Sequence, residues 1–158
     1  MKTPEAHFLT PLKIEQMGPD LWRLLADLVY WSRCLRVSIT APKGFITDLE
    51  SVPRWIPVAY AVLYGSAHAA GTVHDFLYQT RKIVYRTIAR AEADGVLYEA
   101  AGAPGPGIEP TAGWKRQLIW SGVRLGGRRA WRTGPERLQI LWDRRRTPRV
   151  SDPAEQGI

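Results

Sequence analysis

"AAGTVHDFLYQTR", residues 69–81, sets a histidine and an aspartate side by side inside an otherwise apolar, helix-like run. Tyr78 follows His74 by one helical turn, so the two share a face. A second helical stretch, about 86–101, carries "EADGVLYEA". If the two helices, about 66–82 and 86–101, fold back on each other about a turn near Val84, residues equidistant from the turn face one another. His74 then faces Asp94, with Asp75 and Tyr78 close by. An antiparallel helix pair with an imidazole beside a carboxylate is therefore the central expectation.

Upstream the pattern is different. Residues 1–20 read as loop, with Pro4, Pro11 and the Gly-Pro-Asp turn at 18–20. "DLWRLLADLVYWS" admits two readings, an amphipathic helix or two short strands meeting at Asp27. In "CLRVSITAPKGFIT", Leu35, Val37 and Ile39 alternate with Arg36, Ser38 and Thr40, the period of a strand, and Pro42 and Gly44 mark a turn. Downstream, "APGPGIEPTAG" is a loop. A third helix is expected at about 112–124, weakened at its far end by Gly126 and Gly127, and a fourth, shorter one is expected to start at Pro135. The fold class is α+β: a small N-terminal β-rich part packed on a C-terminal bundle of three to four helices. Residues 1–143 form one domain, and 144–158 a basic, Pro-containing tail.

Composition narrows the function classes. The chain has 158 residues, enough for a core without staples. Its single cysteine, Cys34, excludes an internal disulfide framework and a multi-Cys zinc site. The start lacks the charged-then-apolar pattern of a secretion signal. The stretch 55–73 has no Asp, Glu, Lys or Arg, but its Pro, Gly and His content argues against a membrane span. The net charge is +7, and 11 of the 22 basic residues fall between Lys115 and Arg149 against only Glu136 and Asp143. Arg124, Arg128, Arg129, Arg132 and the run Arg144, Arg145, Arg146 form a candidate surface for an anionic partner, whether DNA, an acidic membrane or an acidic protein surface, with a solvated basic face as the alternative. On the third helix Trp114, Leu118 and Val123 are expected to face inward, with Lys115, Arg116 and Arg124 pointing elsewhere.

The His74–Asp94 pair has a specific chemical use. A carboxylate on one imidazole nitrogen fixes the tautomer, and the other nitrogen takes a proton from water. Asp75 points about 100° away around the helix and offers oxygen to a hard cation such as calcium. The same pair also serves as two polar groups satisfying each other at a helix seam. A second candidate stretch, "GFITDLESVPR" (44–54), places Asp48 next to a turn, where it either caps local backbone or joins the His74 cleft. Ser51 lacks the strand–elbow–helix setting of a nucleophile.

Taken together, "GFITDLESVPR", "AAGTVHDFLY", "ARAEADGVLYEA" and the Trp-containing helix ending "VRLGG" resemble an uncharacterised family of proteins from tailed phages and prophages. The likeness runs from about Phe8 to Gly127, with Glu50 where that family usually has Ala. "SAHAAGTVHDFLYQTR" with "AEADGVLYEA" is also similar, over about a third of the chain, to the helical pair of phospholipase A2 of the parvovirus type. That resemblance implies His74 as the water-activating base, Asp94 as its partner, Tyr78 as the supporting hydroxyl and Asp75 as a calcium ligand, with Asp48 as a possible substitute ligand. The Gly-rich calcium loop of those enzymes has no counterpart in "YGSAHAAG". The expectation is a tailed-phage virion-associated accessory protein in tail, neck or baseplate, made in the host cytoplasm and in contact with other virion proteins. It would retain a hydrolase-like helical hairpin whose activity, if it has one, is metal-assisted (calcium-type) ester hydrolysis with His74 as base, with a purely structural virion protein and a non-specific nucleic-acid binder as alternatives.

Overall fold

The computed structural model describes residues 4–18, 21–47 and 67–146, with the backbone alone for 135–146. Two three-stranded antiparallel sheets form the N-terminal part. One has the order β1–β4–β5, from His7–Phe8, Leu28–Ser32 and Val37–Ala41, and the other β2–β3–β6, from Ile14–Gly18, Leu21–Leu24 and Ile46–Thr47. Strands β1 and β2 lie in the stretch expected to be loop. Pro4 and Pro11 do punctuate it, but β1 is too short to show alternation. β2 is held by its partner, with Glu15 opposite Arg23 and ion-paired to it. "LWRLLADLVYWS" resolves as the two-strand alternative, broken around Asp27. That carboxylate accepts the Lys43 N–H at 2.7 Å, and its backbone carbonyl accepts the Thr10 hydroxyl at 2.9 Å.

Alternation then decides what faces the core. β4 buries Leu28, Tyr30 and Ser32 and turns Val29 and Trp31 outward, and β5 buries Ile39 and Ala41. Against this face pack α1 (His68–Thr80) and α2 (Arg90–Ala101). Val73, Leu77, Val96 and Leu97 are fully covered, each contributing about 1.5–3 kcal/mol by leaving water. Glu99 of α2 ties helix to sheet. It accepts from the Tyr30 hydroxyl at 2.9 Å, the Ser32 hydroxyl at 2.8 Å and the Cys34 N–H at 2.8 Å. Burial, and then the Glu99 charge, push the Tyr30 phenol well above its usual range.

The helices are shorter than expected because the turn between them is itself a hairpin. β7 (Lys82–Ile83) pairs with β8 (Arg86–Thr87), with Val84 and Tyr85 at the tip. α1 ends at Arg81, which adopts the left-handed conformation (φ 52°) and donates its N–H to the Leu77 carbonyl at 2.8 Å. α2 starts with half a capping box. Glu92 accepts the Ala89 N–H at 2.8 Å, whereas Ala89 has no side-chain acceptor to return the bond.

The third and fourth expected helices are one, α3 (Gly113–Arg146), which also runs past the expected start of the tail at 144. Pro135 has no N–H for the Trp131 carbonyl four residues back, which ordinarily breaks a helix. Arg81 supplies the missing donor: its Nη2 bonds the Trp131 carbonyl and, at 2.9 Å, the Arg132 carbonyl. Its guanidinium also lies 5.3 Å from the Trp131 ring centre. The glycines of this helix allow close approach. A Cβ on Gly127 would sit 2.7 Å from the Tyr78 hydroxyl, and one on Gly134 would sit 2.3 Å from the Tyr78 carbonyl oxygen. The inward face is Ile119 and Val123, while Trp114 and Leu118 are exposed, which corrects the expected stripe. Leu118 and Val123 are about 140° apart around a helix and cannot share a face.

Two glycine replacements should therefore move stability in opposite directions. Gly134→Ala forces a methyl onto backbone and is expected to cost about 1–3 kcal/mol in denaturant unfolding. Gly95→Ala in α2 meets nothing within 4 Å and should stabilise by about 0.5–1 kcal/mol through helix propensity.

Candidate functional site: a buried carboxylate between three helices

Asp94 is 0% exposed, on the face of α2 that meets α1. Its Oδ1 accepts from the Tyr78 hydroxyl at 2.5 Å and lies 3.2 Å from His74 Nε2. Its Oδ2 accepts from Arg124 Nη1 of α3 at 2.9 Å, and Arg90 Nε, one turn earlier on α2, stands 4.0 Å away. One carboxylate thus gathers donors from α1 and α3. The sequence spacing explains the α1 part: β7–β8 is symmetric about Val84–Tyr85, so His74 and Asp94 emerge at matching heights. His74 and Tyr78, one turn apart, stack with ring centres 4.0 Å apart.

The electrostatics follow from burial and these bonds. Burial by itself pushes the Asp94 carboxyl up, but donors from His74, Tyr78 and Arg124 outweigh it and hold the group below the usual carboxylate range. Burial, reinforced by Asp94, raises the Tyr78 phenol well above its ordinary value. For His74, 2% exposed, burial dominates and lowers the imidazole pKa despite the opposing pull of Asp94. An ionised carboxylate only accepts, so the neutral ring must carry its proton on Nε2. Nδ1 is then the basic nitrogen. It is buried and has no hydrogen-bond partner among the described residues.

The other candidate residues are placed differently. Asp75 is half-buried, and its Oδ2 accepts from the hydroxyl of Thr47, the residue just before Asp48. Asp48 itself lies outside the described residues, as does Ser51. A hard cation such as calcium takes roughly six to eight oxygens. The described residues offer Asp75 and the Thr47 hydroxyl, and among them no group of three or more His, Cys, Asp or Glu side chains is arranged to hold a metal. The described donors do not make a calcium shell. Arg124, expected to point outward with the basic set, points inward to Asp94. Arg128, Arg129 and Arg132 are exposed. The side chains of Arg144, Arg145 and Arg146 lie outside the described residues. A cleft of about 490 Å³ lies at the N-terminal turn of α1, lined among others by Phe8, Leu12, His68, Ile108 and Lys115. Neither His74 nor Asp94 lines it.

Sequence reasoning missed three polar partners. Arg90 was legible, being four residues before Asp94 on one helix. Thr47 carried a weaker signal as the neighbour of Asp48. Arg124 carried none, because only the tertiary placement of α3 aims it at Asp94. No described helix is long and apolar enough to cross a membrane.

A family model described as a protein of unknown function, DUF1353, matches residues 22–123, and the chain belongs to that family. The match spans the "GFITDLESVPR", "HDFLY" and "EADGVL" stretches. No curated protein and no solved structure gives a match.

The depressed imidazole and carboxyl pKa values set a pH dependence. For both groups the unfolded chain binds protons more readily, so stability rises with pH. The His74 contribution is complete above its unfolded value of about 6.5 and is lost as pH falls below it; the Asp94 contribution follows below about 4. Thermal unfolding should show a falling midpoint from pH 7 to pH 5. In His74→Gln, which keeps a donor toward Asp94 but does not titrate, that segment should flatten. An equal slope in both proteins would remove His74 as its source.

Proposed function

We propose that this DUF1353 chain is a tailed-phage virion-associated accessory protein whose α1–α2 seam hydrolyses an ester bond with His74 as general base. One observation carries the chemistry: the imidazole is anchored through Nε2 on an ionised carboxylate while Nδ1 has no partner among the described residues. In this reading Nδ1 takes a proton from water as the water oxygen attacks the ester carbonyl. Asp94 stabilises the imidazolium that forms, and His74 returns the proton to the departing alkoxide. Tyr78 and Arg124 act as positioning residues, since they touch Asp94 and not the reacting atoms. A lowered imidazole pKa keeps the base neutral and competent at pH 7. The phage setting rests on the order and wording of the three motifs, and contacts with other virion proteins come with that setting.

A second reading has its own observation. Arg124, with Arg90 nearby, neutralises Asp94 from the side opposite His74. A carboxylate so thoroughly paired also suits a purely structural tie among three helices.

The test uses the full chain and a chromogenic or fluorogenic carboxylic ester. Wild type is expected to turn over with a rate that is already level near pH 7 and falls on the acid side, below about 6.5. His74→Gln should lower the rate by about 100-fold or more while its unfolding midpoint at pH 8 stays close to that of wild type. Absence of turnover by the wild type across ester classes would leave the structural reading standing.

A further inference from the structure

The hairpin joining the dyad-bearing helices carries side chains that its own fold does not use. Tyr85 is 99% exposed and Val84 is 61% exposed. Val84 also holds φ 41°, a backbone conformation that suits Gly or Asn in a two-residue hairpin turn and strains a β-branched residue. A polar Asn would suit that turn better and hide nothing from water. An exposed apolar pair at a hairpin tip, one of them strained, is the composition of a surface that is covered in use.

Its surroundings are cationic. Lys82 flanks the tip and is exposed. Arg81, at the base of the hairpin, bonds the Trp131 and Arg132 carbonyls, which brings α3 alongside. On that part of α3, Arg128, Arg129 and Arg132 are exposed with Leu125, itself 86% exposed, one turn before them. Residues 125, 128, 129 and 132 share one helical face. Arg86 differs, being paired with Glu92 at 2.7 Å.

We infer that the Val84–Tyr85 tip inserts into an anionic lipid surface, with Lys82, Arg128, Arg129 and Arg132 meeting headgroup phosphates. Tyrosine favours the depth where one end of the ring is dry and its hydroxyl is wet, and long basic side chains keep their heads in the phosphate layer. Cations near such a surface are attracted to anionic headgroups. A nucleic acid would use the cations and has no use for Val84. The docking does not rest on the proposed hydrolysis.

The experiment measures sedimentation of the full chain with phosphatidylcholine vesicles, with and without phosphatidylglycerol, at rising salt. Wild type should bind the phosphatidylglycerol vesicles, and salt should weaken the binding. Val84→Asn with Tyr85→Ser should lower partition about tenfold. The unfolding midpoint should be unchanged or higher, because Asn accepts the left-handed turn. A drop in binding with intact stability separates docking from misfolding. Equal partition of wild type and variant would overturn the inference, as would wild type that binds duplex DNA but not the anionic vesicles. Binding is read from protein and not from product. The docking therefore stands or falls independently of the proposed hydrolysis.

Discussion

The carboxylate of Asp94 accepts hydrogen bonds from two helices other than its own, and the helical half of the molecule is arranged around it. A charge fully removed from water is costly unless each lone pair finds a donor. Here His74 and Tyr78 come from α1 and Arg124 comes from α3. Sliding any one helix by a turn would strand the charge. The hub therefore specifies the register of the bundle beyond what the apolar contacts of Val73, Leu77 and Val96 require. Burial and these bonds together set the chemical states: Asp94 stays ionised, Tyr78 stays protonated, and burial keeps His74 neutral against the pull of Asp94, with its proton directed at the carboxylate.

Supporting features keep α3 close enough for Arg124 to reach. Gly127 and Gly134 remove the side chains that would hold α3 off Tyr78. The guanidinium of Arg81 takes over the carbonyl that Pro135 leaves without a donor, so the helix continues where a proline would otherwise end it. At the other end of α2, Glu99 performs a similar service for the sheet, collecting the Tyr30 and Ser32 hydroxyls and the Cys34 N–H. Two of the three carboxylates of α2 thus serve different masters: Glu99 fixes the sheet to the helices, and Asp94 fixes the helices to each other.

Local features of the chain were legible where the physics is local. The alternation around Ile39 and the symmetric spacing of His74 and Asp94 about Val84 follow from neighbouring residues, whereas the segment around Asp27 stayed open between a helix and two strands. The α+β class and the pairing of histidine with aspartate were legible as well. Long-range compensation was not legible. The continuity of α3 through Pro135 depends on Arg81, some fifty positions earlier in the chain, and the inward aim of Arg124 depends on the packing of α3. Strands β1 and β2 were missed because two- and five-residue elements carry too little periodicity and are held by partners further along. The face of α3 was misassigned at Trp114 and Leu118 because aromatic and aliphatic residues were taken as inward without regard to their angular separation.

The central claim is that Asp94 is an ionised acceptor holding the His74 proton on Nε2, which leaves Nδ1 as a free base. Nitrogen-15 NMR of the imidazole at neutral pH tests it directly, because protonated and unprotonated ring nitrogens resonate far apart. The account predicts a neutral His74 ring with Nε2 protonated and Nδ1 bare. A His74 ring protonated on Nδ1, or carrying both protons at pH 7, would contradict it.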